Sequence, residues 1–300
     1  MLFQESTMSV DLSSIRTRWR PDSRFIAILL MIAGVAAFTF VDTISKSLTA
    51  RYPPVMLMFL QYGLAAAIML PVAMRLGVSG FRLRAPRLLL MRSILGVLVT
   101  FLIVTALSML PFTVAAALFQ LETFFFIPMA MILLKEKADW RRWVAVCFGL
   151  AGAFLILRPG TEAFQAAGLV AIGAAIALAA KNVVLKRVAM SEATVPALFW
   201  MYTLMTAIAA IPAMLQWTPL TLADFGLFLL SAFLVNASNY CMLKAFAMAD
   251  AVQLTPAFHT GLPIAVLVGL VVFGEWPQPI VWAGIGLIFL ATFMPSGKRA

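Results

Sequence analysis

Six ionisable side chains stand inside long apolar stretches of this sequence: Asp42, Lys46, Arg92, Glu122, Lys181 and His259. A charge within hydrocarbon costs several kcal/mol, so each marks a place where the chain gains a ligand contact, a proton site or an internal pair. Glu122 and His259 fall near the middles of their segments. A carboxylate and an imidazole there can hold the two charges of a zwitterion or exchange protons, and a hydrogen bond that only locks helices together is the competing reading. Gln120 and Glu122 are roughly 200° apart around a continuous helix, so at most one of them is expected to face a narrow cavity.

Asp42 and Lys46 are spaced i, i+4, which predicts mutual neutralisation on one helix face. An Asp42–Lys181 pair is not expected, since the two lie roughly 16 Å apart along the membrane normal at 1.5 Å per residue. Lys181 with Asn182 is expected to face an inner vestibule or to snorkel toward headgroups, and Arg92, one turn into its segment, to snorkel likewise. Asn236, Asn239 and Tyr240 form a polar stripe at i, i+3, i+4, read here as cavity lining with helix–helix bonding as the alternative. Gln61 with Tyr62, and Trp200 with Tyr202 and Thr203, are weaker lining candidates because aromatic residues are more often packing or interfacial anchors. The Phe124–Phe125–Phe126 run and the 18 Met residues offer adaptable apolar contact, with core or lipid contact as the default reading.

What is missing narrows the chemistry. One His, no HExxH, no convincing GxSxG and no paired carboxylates leave an intramembrane enzyme acting on lipid-linked substrates without a catalytic constellation, so no enzyme is expected. Cys147 and Cys241 sit in apolar segments without a CxxC or Cys/His cluster, which implies neither a disulfide nor a metal site. No phosphate-binding loop is present, so neither direct ATP driving nor a cofactor is expected. A receptor would usually bring a soluble output domain, for which no residues remain.

Those side chains must be held by elements that the composition identifies. The chain is 63% hydrophobic and 11% charged, with mean hydropathy +1.02. Apolar segments fall at 25–49, 54–75, 88–109, 112–134, 140–158, 165–187, 196–217, 223–247, 251–273 and 277–295. Their length and continuous apolarity predict helices, since barrel strands would alternate with period two. Residues 1–24 are read as a cytoplasmic tail before an uncleaved first helix, and 296–300 as a second tail. Seventeen Lys and Arg fall on one side of a ten-helix layout and only Arg51 and Arg158 on the other. The positive-inside rule then places both termini in the cytoplasm of a multi-pass cell-membrane protein. The charge of +10 thus reports topology, not nucleic acid, because no basic run is interleaved with aromatics.

An offset of 139 residues pairs Gly34 with Gly173, Leu88 with Leu227, Leu95 with Leu234, Ala106 with Ala245, Met109 with Met248 and Phe119 with Phe258. It also pairs Glu136 with Glu275 and Trp143 with Trp282, and sets Gln120 opposite His259 and Asp42 opposite Lys181. Five helices per repeat oblige the second copy, 165–295, to cross the membrane in the opposite sense to the first, 25–158. Inverted repeats characterise secondary transporters, whose substrate site lies near the midplane. The chain therefore reads as an all-α membrane protein of ten helices in two inverted five-helix repeats.

Phe273-Gly274-Glu275 followed by Trp282, its echo Leu134-Lys135-Glu136 followed by Trp143 and Gly149/Gly152, and Pro263 give the chain its likeness. It resembles the EamA-domain branch of the drug/metabolite transporter superfamily. Lys135, where a Gly is usual, and Phe124, opposite Pro263, depart from that pattern in the first half. The resemblance implies export of small metabolites, with YddG-type amino-acid exporters as one branch. The expected partners are a small-molecule substrate and the lipid bilayer, with the oligomeric state left open and a monomer compatible with the reading. Proton coupling through Glu122 or His259 and uncoupled facilitation both remain open.

Overall fold

The computed structural model describes residues 21–134, 140–157, 162–249 and 251–292. Its described residues form helices and turns: α1 (Pro21–Leu48), α2 (Pro54–Arg75), a 3-10 turn (Gly77–Gly80), α3 (Pro86–Met109), α4 (Phe112–Phe119), α5 (Glu122–Leu134) and α6 (Trp140–Leu157). There follow α7 (Glu162–Ser191), α8 (Thr194–Leu215), α9 (Leu222–Met248), α10 (Ala251–Phe258), α11 (Gly261–Val271) and α12 (Pro279–Thr292). Proline marks the starts, because its missing N–H falls where a helix has no internal acceptor to lose: Pro54, Pro86 and Pro279 open α2, α3 and α12, and Pro111 precedes α4.

Among the described residues seven stretches are long and apolar enough to cross a membrane: Phe25–Leu48, Pro54–Arg75, Pro86–Met109, Phe112–Leu133, Ala166–Ser191, Thr194–Leu215 and Leu222–Met248. Cys147–Ile156, Gly261–Val271 and Pro279–Leu290 are shorter apolar helices. The outer surface carries Ile132, Met190, Ile211, Phe233 and Val271, all well exposed. An apolar exterior over an apolar interior is the pattern of a chain dissolved in lipid.

The two halves interlock. The strongest packing joins α1 to α9, α2 to α8, α3 to α7 and α6 to α12, and α4 meets α11. Each of these pairs takes one member from each half, so neither half forms a separate core. At the α6–α12 crossing the backbones touch: a methyl on Gly152 would stand 2.7 Å from the Gly284 carbonyl oxygen, and one on Gly284 equally close to that of Gly152. Small residues at a helix crossing let van der Waals contact replace the hydrophobic drive that lipid does not supply.

Candidate functional site

The apolar stretch 112–133 is not one helix. Between α4 and α5, Leu121 N donates to Leu118 O and Thr123 N to Gln120 O, at 3.1 and 3.2 Å, so the chain tightens to i, i+3 bonding there. In the second half, between α10 and α11, Thr260 N donates to Ala257 O and Leu262 N to His259 O, at 3.3 and 3.2 Å. These are the same bonds displaced by 139 residues. Discontinuous helices at matching places in two repeats expose half-helix N-termini, where backbone N–H groups are available to a ligand.

Beside the first break lies a cavity with about 680 Å³ of unfilled space, part of it continuous with solvent. Val35, Phe38, Thr39 and Asp42 face it from α1 at i, i+3, i+4, i+7, and Phe112 and Phe119 face it from α4. Gln120, Glu122, Lys181, Asn182, Phe258 and Gly261 complete most of the wall. Asn182 Nδ2 donates to Glu122 at 3.3 Å, and the Lys181 ammonium stands 5.1 Å from the Phe38 ring centroid. Among the described residues the one ion pair in direct contact is Arg51–Asp224; Asp42 and Glu122 feel the Lys181 ammonium across this space without touching it. Two carboxylates, one ammonium and a set of phenyl rings can receive a cation, an anion and a flat apolar body in one volume.

Gln120 and Glu122 both line the cavity, contrary to the expectation that at most one would. The 100° step per residue holds only along an unbroken helix, and the break at Gln120–Leu121 cancels it. Asp42, Lys181 and Asn182 join them, with Lys181 only 6% exposed, so it neither snorkels nor sits in a separate vestibule.

The other candidates lie elsewhere. His259 is buried against Phe124, with ring centroids 6.0 Å apart, and does not line this cavity. Asn236 Nδ2 donates to Ala65 O of α2 at 3.1 Å and to Ala232 O, which is helix–helix bonding. Tyr240 points outward and is well exposed, with the Lys244 ammonium 5.7 Å from its ring centroid. Trp200 Nε1 donates to Phe81 O at 2.9 Å and anchors a loop. Asn239 faces a smaller compartment, and Gln61 is buried outside both spaces. Of the three-residue stripe on α9, then, no member reaches the main cavity: at i+3 and i+4 two side chains are still 100° apart.

Lys46 does not neutralise Asp42. Its ammonium donates to Leu107 O and Leu110 O at 2.5 and 2.7 Å, closing the C-terminal end of α3. Lys186 does the same for α9, donating to Phe246 O and Ala249 O at 2.9 and 2.7 Å. The acceptors differ by 139 residues but the lysines by 140, so within the first helix of each half the register has slipped by one. Asp42 therefore corresponds to Asn182, not Lys181. Gly34 and Gly173 are likewise unequal: a methyl on Gly34 would meet Met242 at 2.9 Å, whereas Gly173 has open space.

Glu275 has a structural task. Its carboxylate accepts from Phe112 N and Thr113 N at 2.6 and 2.9 Å, capping α4 from the other half. Gly274 adopts a φ of 62°, left-handed backbone that glycine enters without a Cβ clash, and so turns Glu275 toward α4. Gly269 lets α11 approach that end, since a methyl there would lie 2.1 Å from Thr113 Oγ1. Glu136, its counterpart in the repeat, lies outside the described residues.

The sequence pattern missed two groups. The phenyl rings of Phe38, Phe112, Phe119 and Phe258 carry no signal that separates lining from core. Arg92 does not snorkel but is 2% exposed, between helices. Arg92, Gly96 and Thr100, at i, i+4, i+8, were the polar and small stripe that pointed inward.

Residues 25–158 and 165–296 each match the EamA-like transporter family. A riboflavin transporter of Rhizobium johnstonii is 29% identical, the match covering 94% of each chain. A riboflavin transporter of Vibrio cholerae is 28% identical over 88% of this chain and 90% of its own. An S-adenosylmethionine uptake transporter of Rickettsia bellii is 27% identical over 86% and 90%. A crystal structure 16% identical in sequence superposes with TM-score 0.67, covering 91% of this chain and 96% of its own, and shares the fold.

Proposed function

Because the chain belongs to the EamA-like transporter family and is a multi-pass membrane transporter of small metabolites, we propose that its cargo is an amphipathic metabolite carrying a cationic group and a flat ring, bound in the central cavity. The observation that carries this is the convergence of Asp42 and Glu122 with phenyl rings at the break between α4 and α5. Carboxylates facing phenyl rings across a low-dielectric space attract a cation strongly and leave room for an apolar body. S-adenosylmethionine, a sulfonium joined to an adenine, has that chemistry, and aromatic amino acids are its smaller members. Riboflavin offers the ring without the charge.

In this reading the chain spans the membrane ten times: α4 with α5, and α10 with α11, each make one span, and α1, α2, α3, α6, α7, α8, α9 and α12 the rest. Residues 25–158 and 165–295 are two repeats of opposite orientation, both termini are cytoplasmic, and the halves rock about the cavity to open it to either side in turn. The interlocked packing supports a two-fold relation, since α2–α8 and α6–α12 each pair equivalent elements and α1–α9 is matched by its counterpart α3–α7. Alternating access is reversible, so the gradient, not the cavity, sets import or export. Either cavity carboxylate, Glu122 above all, can exchange a proton in place of the cargo's cation.

Proteoliposomes loaded by counterflow test the proposal with labelled S-adenosylmethionine, riboflavin, phenylalanine and tryptophan. Flux of the cationic and zwitterionic compounds is expected, and their KM rises about tenfold or more in Asp42→Asn and Glu122→Gln, a loss of about 1.4 kcal/mol. Flux of riboflavin alone, or KM values unmoved by both substitutions, would overturn the cation-and-ring reading.

A further inference from the structure

A second, smaller space adjoins the central cavity. It leaves about 10 Å³ of free volume, room for one small group, and lies between the two halves, with Tyr62 on α2, Arg92 and Thr100 on α3, and Asn239 on α9 among its walls. Phe38 and Lys181 line both spaces and form the partition between them. Arg92 is 2% exposed, and its Nε finds no hydrogen-bond partner among the described residues. A guanidinium is always charged, carries five N–H donors and accepts nothing, so a buried one is ordinarily matched to a carboxylate. Among the described residues no acidic side chain lines this compartment. Its other cation, Lys181, repels Arg92 and aggravates the imbalance.

The compartment is shaped around that guanidinium. Gly96, one turn further along α3, has no side chain where a methyl would stand 3.0 Å from Arg92 Nη1. The Tyr62 hydroxyl and Thr100 Oγ1 share a hydrogen bond of 2.6 Å, and Tyr62 stacks on Tyr202 with centroids 6.0 Å apart. Tyr62, Thr100 and Asn239, with Met201 and Met205, therefore stand around a positive centre that has no acidic side chain in its wall among the described residues.

We propose that this compartment receives the carboxylate of the transported molecule, with Arg92 as the anion-binding residue and Lys181 as the gatepost between the two spaces. The site as a whole is then polarised, with Asp42 and Glu122 at one end, Arg92 at the other and the phenyl rings between. A dipolar cargo lies across it in one orientation only. The inference rests on the cavity reading above, and adds to it a requirement for an anionic group at a defined end.

Purified protein in detergent tests the site apart from transport. Sodium acetate, against sodium chloride at equal ionic strength, is expected to raise the apparent Tm of the wild type and of Arg92→Lys, and not that of Arg92→Gln. Ligand-free Arg92→Gln is expected to be at least as stable as wild type, because an uncompensated buried charge has been removed. Lower stability of ligand-free Arg92→Gln would show a structural guanidinium and overturn the proposal. So would the absence of any acetate effect on wild type.

A second arm ties the carboxylate to the cargo, through inhibition of counterflow by two matched pairs: tryptophan against tryptamine, and S-adenosylmethionine against its decarboxylated form. Wild type is expected to prefer each carboxylate-bearing member tenfold or more, and Arg92→Gln to show no preference. Acetate stabilisation without that preference would assign the compartment to a free anion and overturn its assignment to the cargo. Failure of Asp42→Asn and Glu122→Gln to alter any KM, with the acetate effect intact, would instead overturn the cation-and-ring reading alone.

Discussion

Replacement of Glu275 by Ala removes the cap that the second half places on α4. Its carboxylate accepts from Phe112 N and Thr113 N, two of the N–H groups that an isolated helix start leaves without partners. Loss of a capping side chain costs about 0.5–2 kcal/mol, and loss of a negative charge at a helix N-terminus about 0.3–1 kcal/mol more. Glu275 is half-buried, so water replaces part of the bonding, and the expected cost is about 2 kcal/mol for Glu275→Ala. Glu275→Gln keeps one neutral acceptor and loses about half of that. At roughly 2 °C per kcal/mol for a chain this long, the apparent Tm in detergent falls by about 4 °C in the first variant and about 2 °C in the second. Because α4 ends at Phe119 beside Gln120, counterflow activity is expected to fall in the same order. A Tm for Glu275→Ala within about 1 °C of wild type would refute the assignment of this acid to α4's cap.

Other outcomes follow from the same contacts. Gly284→Val places a side chain within 2.5 Å of Ile156 and 2.7 Å of the Gly152 carbonyl, and is expected to abolish the monodisperse peak in size-exclusion chromatography, a fate that Gly286→Ala, with open space around it, escapes. Lys46→Met leaves the α3 carbonyls of Leu107 and Leu110 without their charged donor and lowers the apparent Tm by an amount similar to Glu275→Ala. Since Lys46 and Glu275 also act on each other, the double variant is expected to lose less than the sum, read from a thermal double-mutant cycle. Tyr240→Phe, on the exposed side of α9, leaves KM and stability unchanged. Trp200→Phe lowers stability by about 1 kcal/mol through its lost bond to Phe81 O and leaves KM unaltered.

Much of the architecture was legible before any coordinates. Apolar segment lengths place α1, α2, α3, α6, α7, α8, α9 and α12 to within a few residues, because burial in lipid forces every backbone polar group into local bonding, but 112–134 and 251–273, each read as one helix, are each two. The site was legible in part. Asp42, Glu122 and Lys181 stand out since few charges are tolerated in hydrocarbon, and all three line the cavity.

What the residues alone could not decide were directions and registers. Whether Gln120 and Glu122 share a face depends on a two-residue break whose bonds differ from helix by one position, a choice made by packing against α7. Whether Arg92 snorkels or turns inward depends on the space that Gly96 leaves and on α8 across from it. The one-residue slip that sets Asp42 opposite Asn182 shows only when Lys46 and Lys186 are seen closing equivalent helix ends. Local sequence determines which segments become helices, for hydrogen bonding within a segment and transfer into lipid are local free energies. Only tertiary structure decides which side of each helix faces its neighbours, because that balance is struck among side chains far apart in the chain.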